Sequence, residues 1–109
     1  MFAKIEEATK KFAADVQSTN TYQEYRRCLH IIKQDSELYE RVNEYRLKNF
    51  ELQTVEPVDG LLDKIDRLEQ EYEEITGKPE VSDFLRAELA FCRMMQQINN
   101  CISDALEFE

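Results

Sequence analysis

The sequence predicts an all-α fold: an antiparallel bundle of four to five helices with a long C-terminal helix, assembled as a helical dimer. Only two glycines and two prolines occur in 109 residues, so few positions interrupt a regular backbone. Apolar residues recur at spacings of three and four along most of the chain, which is the helical period, and no stretch alternates in the manner of a β-strand. The length predicts a single domain over residues 1–109.

The N-terminal half is predicted to contain two or three helices separated by cap residues. Apolar positions in residues 2–16 recur at alternating spacings of three and four, which predicts a first helix of about fifteen residues. Polar residues 18–21 then supply a break and a cap. The apolar stripes of residues 22–32 and 38–52 are one residue out of phase. Because the change falls at Asp35 and Ser36, which are good N-cap residues, we predict a kink or a very short break there.

The C-terminal half is predicted to contain two helices joined by a tight junction. Residues 53–60 hold one glycine and one proline and are interpreted as a loop. A seven-residue apolar repeat over residues 61–75 predicts the first helix of the pair. Gly77 is expected to close that helix in the left-handed conformation, and Pro79 suits the first turn of the next one. The junction is therefore expected to fold two long helices against each other.

A broad apolar surface marks the last helix, which is predicted to run from Pro79 to about Phe108. Its apolar residues extend beyond a single seam, and surplus apolar surface on a long helix is typical of a self-association face. We therefore predict a homodimer or higher oligomer that associates through Phe84, Leu85, Leu89, Phe91, Cys92, Met95, Ile98 and Ile102.

The net charge of −9 is concentrated in one segment. Residues 51–83 carry eleven acidic and three basic side chains, whereas residues 1–50 carry eight acidic and nine basic ones. Direct binding of nucleic acid is not expected, because phosphate contacts need a positive surface. We predict that a basic partner protein docks on Asp63, Asp66, Glu69 and Glu73. The alternative is a solvated acidic helix face without a partner.

Composition favours a soluble cytoplasmic protein that does not contact a membrane. Residues 1–7 lack the apolar block of a signal peptide, and no apolar run approaches the length of a membrane span. Cys28, Cys92 and Cys101 lie in helical patterns without a CxxC motif and are interpreted as buried or half-buried reduced thiols. Cys92 and Cys101 are about 180° apart around one helix, so they do not share a metal within one chain.

Residue types that carry catalysis are scarce, and neither a catalytic residue, a metal nor a cofactor is predicted. The single histidine, His30, lies at the edge of an apolar stripe and is interpreted as a packed or capping imidazole. Glu88 lies near the apolar face of the last helix and is interpreted as an interface or inter-helix tie. An enzyme whose site lies in a dimer groove around His30, Tyr25 and Glu88 remains an alternative.

Six short segments, in this order and spacing, resemble the YlbF/YmcA family of small helical proteins of Gram-positive bacteria. The resemblance covers the chain from about Ile5 to Leu106 and rests on the order of the motifs, because each motif alone is weak. Relatives often have Asn before the proline of the junction, where this chain has Lys78. The motifs are Thr21-Tyr22-Gln23-Glu24-Tyr25, Asp35-Ser36-Glu37-Leu38, Asn49-Phe50-Glu51-Leu52-Gln53, Gly77-Lys78-Pro79-Glu80-Val81, Phe84-Leu85-Arg86-Ala87-Glu88 and Met95-Gln96-Gln97-Ile98.

The resemblance implies a cytosolic regulator that forms dimers or mixed oligomers with paralogues. Known members of the family act in competence, sporulation and biofilm formation, and form a complex that assists an endoribonuclease in messenger RNA processing. Some hold iron–sulfur clusters through cysteines outside the helical core, but this chain has no clustered cysteines, so no cluster is expected. We predict a non-enzymatic regulatory adaptor; the alternative from another class is a self-assembling structural module.

Overall fold

The computed structural model describes residues 1–54 and 60–107, and these residues form six helices and no strand. The all-α fold and the long C-terminal helix are thereby confirmed, whereas the dimer stays a prediction. The helix count exceeds the predicted four to five because the stretch over residues 61–75 divides at Tyr72. The helices are α1 (Phe2–Gln17), α2 (Asn20–Lys33), α3 (Ser36–Thr54), α4 (Leu61–Glu71), α5 (Glu73–Thr76) and α6 (Pro79–Ala105).

The chain groups into two compact units. Unit 1 consists of Met1–Cys28 and Leu85–Glu109, and therefore contains α1, the first part of α2 and most of α6. Unit 2 consists of Leu29–Phe84 and contains the end of α2, all of α3, α4 and α5, and the first turns of α6. The single domain of residues 1–109 stays a prediction.

The predicted break between α1 and α2 is confirmed, and a single threonine makes it. The Thr19 hydroxyl donates to the carbonyl of Val16 at 2.7 Å, and the backbone N–H of Tyr22 donates to the same hydroxyl at 3.2 Å. One side chain thus bonds a carbonyl at the end of α1, which also accepts from the Thr19 N–H, and an amide at the start of α2, which has no partner within its own helix.

The second predicted interruption is a short break at Gln34 and Asp35, which separates α2 from α3. The Leu38 N–H donates to Oδ1 of Asp35 at 3.2 Å, so this carboxylate caps α3. An acid at this position also interacts favourably with the dipole of the helix.

Replacing Asp35 with alanine is expected to destabilise the protein by about 1 kcal/mol, because the Leu38 amide loses its cap. Urea unfolding followed by circular dichroism measures the change. Asp35→Asn is the matched control, since an amide oxygen also accepts the bond and most of the stability should be kept. If the asparagine variant loses as much as the alanine variant, the stabilisation comes from charge and not from capping.

Tyr72 lies at the centre of unit 2, where α3 packs closely against α4 and α5. Its side chain is 1% exposed and its ring centroid lies 5.6 Å from that of Tyr45. The Arg41 guanidinium and the Lys48 ammonium lie 4.6 and 5.2 Å from the same ring centroid. The Tyr72 hydroxyl donates to the Glu44 carboxylate at 3.4 Å. The residue that separates α4 from α5 is thus held by four side chains of α3.

The rest of the unit 2 core is aliphatic, apart from Phe84. Two ion pairs on its surface, Arg41 with Glu44 at 3.0 Å and Lys48 with Glu71 at 3.6 Å, flank the buried ring of Tyr72. Among the residues that the structure describes, the other buried side chains of unit 2 are Leu29, Ile32, Leu38, Val42, Leu68, Ile75, Val81 and Phe84.

The junction before α6 differs from the prediction in two respects. Gly77 has φ −76° and ψ −11°, which is right-handed, so the expected left-handed closure is wrong. The helix before the junction is the one-turn α5 and not a long helix. The turn succeeds without a left-handed residue because Lys78 donates to Ile75 and its carbonyl accepts from Val81 and Ser82. The left-handed glycine is Gly60, with φ 87°, at the start of α4.

Two predicted boundaries lie at the edge of the described residues. The loop predicted over residues 53–60 begins later than expected, because α3 continues to Thr54. Residues 55–59 of that loop lie outside the described residues. The last helix ends at Ala105, and Phe108, its predicted end, also lies outside them. At 27 residues α6 is about 40 Å long.

Candidate protein-interaction surfaces

The four carboxylates predicted to dock a partner are all exposed on α4 and α5. Three of them, Asp66, Glu69 and Glu73, line one shallow depression of about 530 Å³ together with Tyr45, Gln70 and Thr76. The fourth, Asp63, lies in the first turn of α4 and does not line the depression. We call Asp66, Glu69 and Glu73 the acidic surface.

The carboxylates of the acidic surface form no ion pair with the residues that the structure describes. Tyr45 is half-buried beside them. Burial raises the pKa of its hydroxyl, and the negative charge of Glu69 raises this pKa further. A cation placed in the depression would meet three carboxylates and an aromatic ring.

Unit 1 contains a second surface of a different kind, an apolar groove of about 700 Å³ between α1 and α6. Four of the eight residues predicted for self-association, Phe91, Met95, Ile98 and Ile102, lie in it. We call the whole set the apolar groove; its lining residues are Ile5, Ala8, Thr9, Phe12, Ala13, Val16, Gln17, Tyr22, Phe91, Met95, Ile98, Asn99 and Ile102.

The remaining four predicted self-association residues have different surroundings. Phe84 is 0% exposed in the core of unit 2, where the Arg46 guanidinium lies 5.4 Å from its ring centroid. Its side chain is therefore not part of a surface. Leu85 is half-buried, whereas Leu89 and Cys92 are exposed. Sequence periodicity placed all eight on one helix without showing which of them are buried.

The α1 side of the groove was missed by the sequence analysis. The apolar positions Ile5, Phe12 and Val16 predicted the helix, but only the structure shows that α1 buries no residue. A helix whose apolar face stays exposed is a candidate contact surface. The predicted self-association residues all lie on α6, so the prediction did not include this helix.

Residues considered for catalysis lie in ordinary structural surroundings. His30 is exposed in unit 2, and its Nε2 lies 3.2 Å from the side-chain amide of Gln34. In unit 1, the Tyr25 ring stacks on Phe91 with centroids 5.1 Å apart, and Glu88 is half-buried. In the described part of the chain, no group of three or more His, Cys, Asp or Glu side chains is placed to hold a metal ion.

The cysteine prediction is right for one residue and wrong for two. Cys28 is buried, with Sγ 3.5 Å from a carboxylate oxygen of Glu24. Cys92 and Cys101 are exposed, and neither lines the apolar groove. Within the described ranges, no helix is both long and apolar enough to cross a membrane.

A family model described as "Control of competence regulator ComK, YlbF/YmcA" matches residues 5–107. The chain belongs to the YlbF/YmcA family. The resemblance inferred from the ordered motifs is therefore confirmed, and the family is associated with control of a competence regulator.

Similar proteins of Gram-positive bacteria support the membership in this family. A UPF0342 protein of Caldicellulosiruptor bescii is 22% identical over 91% of this chain and 85% of its own length. A UPF0342 protein of Lacticaseibacillus paracasei is 21% identical, and the match covers 95% of this chain and 93% of the relative. A UPF0342 protein of Desulfitobacterium hafniense is 23% identical, and the match covers 94% of this chain and 84% of the relative. No solved structure matches this YlbF/YmcA protein.

Proposed function

We propose that this protein is a non-enzymatic, cytoplasmic regulatory adaptor that acts by binding another protein. Membership in a family described by the control of a competence regulator supports a regulatory role.

The observation that carries the proposal is the acidic surface. Three exposed carboxylates, none of them in an ion pair with a described residue, line one depression with a half-buried tyrosine. A lysine- or arginine-bearing segment complements such a surface in charge. An arginine also stacks on an aromatic ring, so Tyr45 adds an apolar contact for the same side chain. Asp63 extends the negative charge along α4.

The proposed partner is a protein of an RNA-processing complex that presents a basic surface. The resemblance to members that assist an endoribonuclease implies this class of partner. The net charge of −9 makes RNA itself a poor ligand, since the phosphate backbone is also negative. The adaptor is therefore proposed to contact the protein components of such a complex, or paralogous family members, and not the transcript.

The test compares two variants with the same change in charge. The full chain is tagged in its native host as wild type, as Asp66→Asn/Glu69→Gln/Glu73→Gln, and as the control Glu7→Gln/Glu40→Gln/Asp104→Asn. We expect wild type and control to recover the same partner and the acidic-surface variant to lose it at least tenfold by quantitative mass spectrometry.

Salt provides the second measurement, on the purified partner. Binding should weaken several-fold between about 50 and 200 mM salt, because the attraction is electrostatic and screened. Equal recovery by both variants, or binding that ignores salt, would show that the acidic surface is not the docking site. Recovery of no partner would contradict the adaptor role itself.

A self-assembling structural module is the second candidate function, and the apolar groove favours it. The same purification separates the two candidates, because such a module would recover only copies of itself.

A further inference from the structure

We propose that unit 2 holds a second docking site, opposite in charge to the acidic surface, which binds a protein segment that carries an acidic side chain beside an apolar one. The site is a pocket of about 380 Å³ between α3 and α4. This inference goes beyond the proposed function and does not depend on it. We call the site the basic pocket, after Lys48, Lys64 and Arg67, which line it together with Leu52 and Leu68.

The first observation is that α4 separates its charges onto two sides. Lys64 and Arg67 line the basic pocket, whereas Asp66 and Glu69 line the depression of the acidic surface. At about 100° per residue, these two pairs lie on opposite sides of the helix axis. Residues 51–83 contain only three basic side chains, and two of them are therefore gathered at one place. Unit 2 thus presents a positive site on one side of α4 and a negative site on the other.

The second observation is that the cations of α4 are available to a ligand. Within the part of the chain that the structure describes, no carboxylate forms an ion pair with Lys64 or Arg67, and both side chains are exposed. Lys48 is instead held in place, 3.6 Å from a Glu71 carboxylate oxygen and 5.2 Å from the Tyr72 ring centroid. A guanidinium binds a carboxylate through two parallel hydrogen bonds, so Arg67 offers the main contact for an incoming acid.

The third observation is that two leucines line the basic pocket beside its cations. Leu68 is 6% exposed, and Leu52 is half-buried. Each leucine follows a lysine of its own helix by four residues, Lys48 on α3 and Lys64 on α4. Because residues four apart are neighbours on a helix surface, an apolar contact lies next to a positive charge on both walls of the pocket. An occupant that matches both walls carries an apolar group beside a carboxylate.

The balance of charge within the pocket identifies the class of ligand. Glu51 and Glu71 also line it, so its three cations and two carboxylates give a formal charge of only +1. A nucleic acid or another polyanion would meet both carboxylates and a chain of net charge −9, which disfavours it. A protein segment with one Asp or Glu beside a Leu, Ile or Phe complements the pocket, since its carboxylate meets the cations of α4 and its apolar side chain meets the leucines.

The experiment titrates the full chain, labelled with nitrogen-15, with the acidic peptide acetyl-Gly-Ser-Glu-Leu-Glu-Leu-Gly-Ser-amide and follows the amide chemical shifts by NMR. We expect saturable shifts centred on α4 and on residues 48–52. Lys64→Gln/Arg67→Gln should raise the dissociation constant at least about tenfold, because both charge-assisted contacts are lost. Lys4→Gln/Lys11→Gln, which removes the same charge from exposed positions of α1, is the matched control and should change it less than about twofold.

Two further peptides separate the parts of the proposal. A peptide with serine in place of both leucines should bind the wild type several-fold more weakly, because the apolar contact is lost. A peptide with lysine in place of both glutamates should shift the amides around the acidic surface and leave the basic pocket unchanged. The variant Asp66→Asn/Glu69→Gln/Glu73→Gln should lose the lysine peptide and keep the acidic one, so failure of one docking site is distinguishable from failure of the other.

Several results would overturn the proposal. Absence of saturable shifts in the wild type up to about 5 mM acidic peptide, or shifts confined to other helices, excludes the basic pocket as its site, and this readout does not require a variant to fold. Equal weakening by the α1 control would show a response to overall charge alone. A single-stranded oligouridylate that binds at residues 48–52 and α4 more tightly than the acidic peptide would make the pocket a nucleic-acid site.

Discussion

Replacing Phe84 with alanine is expected to destabilise the protein by about 3–5 kcal/mol, a large fraction of the stability of a domain of this size. The ring is 0% exposed, and Val81, one turn earlier on α6, is also 0% exposed. Truncation loses the burial of the ring and leaves a cavity in unit 2. Urea unfolding followed by circular dichroism measures the loss, which should not depend on protein concentration.

Leu89→Ala is the control for this prediction, because sequence periodicity places both residues on one predicted face of α6. Leu89 is 50% exposed, so its truncation should change the free energy of unfolding by less than about 1 kcal/mol. If Phe84→Ala proves as mild as Leu89→Ala, or if it weakens self-association without lowering stability, then Phe84 belongs to a surface and its buried position is wrong.

The second large effect is expected at Tyr72, where alanine should also cost about 3–5 kcal/mol. The substitution removes the ring against which Tyr45 packs and over which Arg41 and Lys48 lie. Because this residue separates α4 from α5, its loss also removes the anchor that fixes the two helices against α3. Thermal unfolding and the loss of hydrogen-exchange protection in α4 both report the change.

Two further substitutions show which property of Tyr72 matters. Tyr72→Phe keeps the ring and should cost less than about 1 kcal/mol, since the bond from the hydroxyl to Glu44 is long at 3.4 Å. Tyr72→Leu keeps apolar volume but loses the attraction of the ring for two cations, so it should fall between phenylalanine and alanine. A phenylalanine variant as unstable as the alanine variant would assign the stability to the hydroxyl.

The positions of the helices were predictable where a local signal specifies them. Thr19 and Asp35 cap the helices that follow them. The first break lies where cap residues predicted it, and the second lies where cap residues and a change of apolar phase predicted it. The interruption at Tyr72 has no such signal, because the seven-residue repeat continues through it. Contacts with α3 hold that residue, and they join positions 24 or more residues apart in sequence. Gly77 was misjudged because glycine also adopts right-handed angles.

The candidate surfaces were predictable in part. Charge counting located the acidic segment, and the structure brings Asp66, Glu69 and Glu73 around one depression. Periodicity could not separate Phe84 from Phe91, since both lie on apolar positions of one helix. The structure buries Phe84 fully and leaves Phe91 half-buried in the lining of the apolar groove. For the same reason the pattern of α1 predicted a helix but not its exposure.

The hydroxyl of Thr19, shared between two helices, makes the linker at residues 18–19 strict in length. An insertion of one residue would move either the Val16 carbonyl or the Tyr22 amide beyond its reach, and would also rotate α1 relative to the helix that follows. Homologues that gain or lose residues are therefore expected to do so elsewhere in the chain, with this two-residue connection kept at constant spacing.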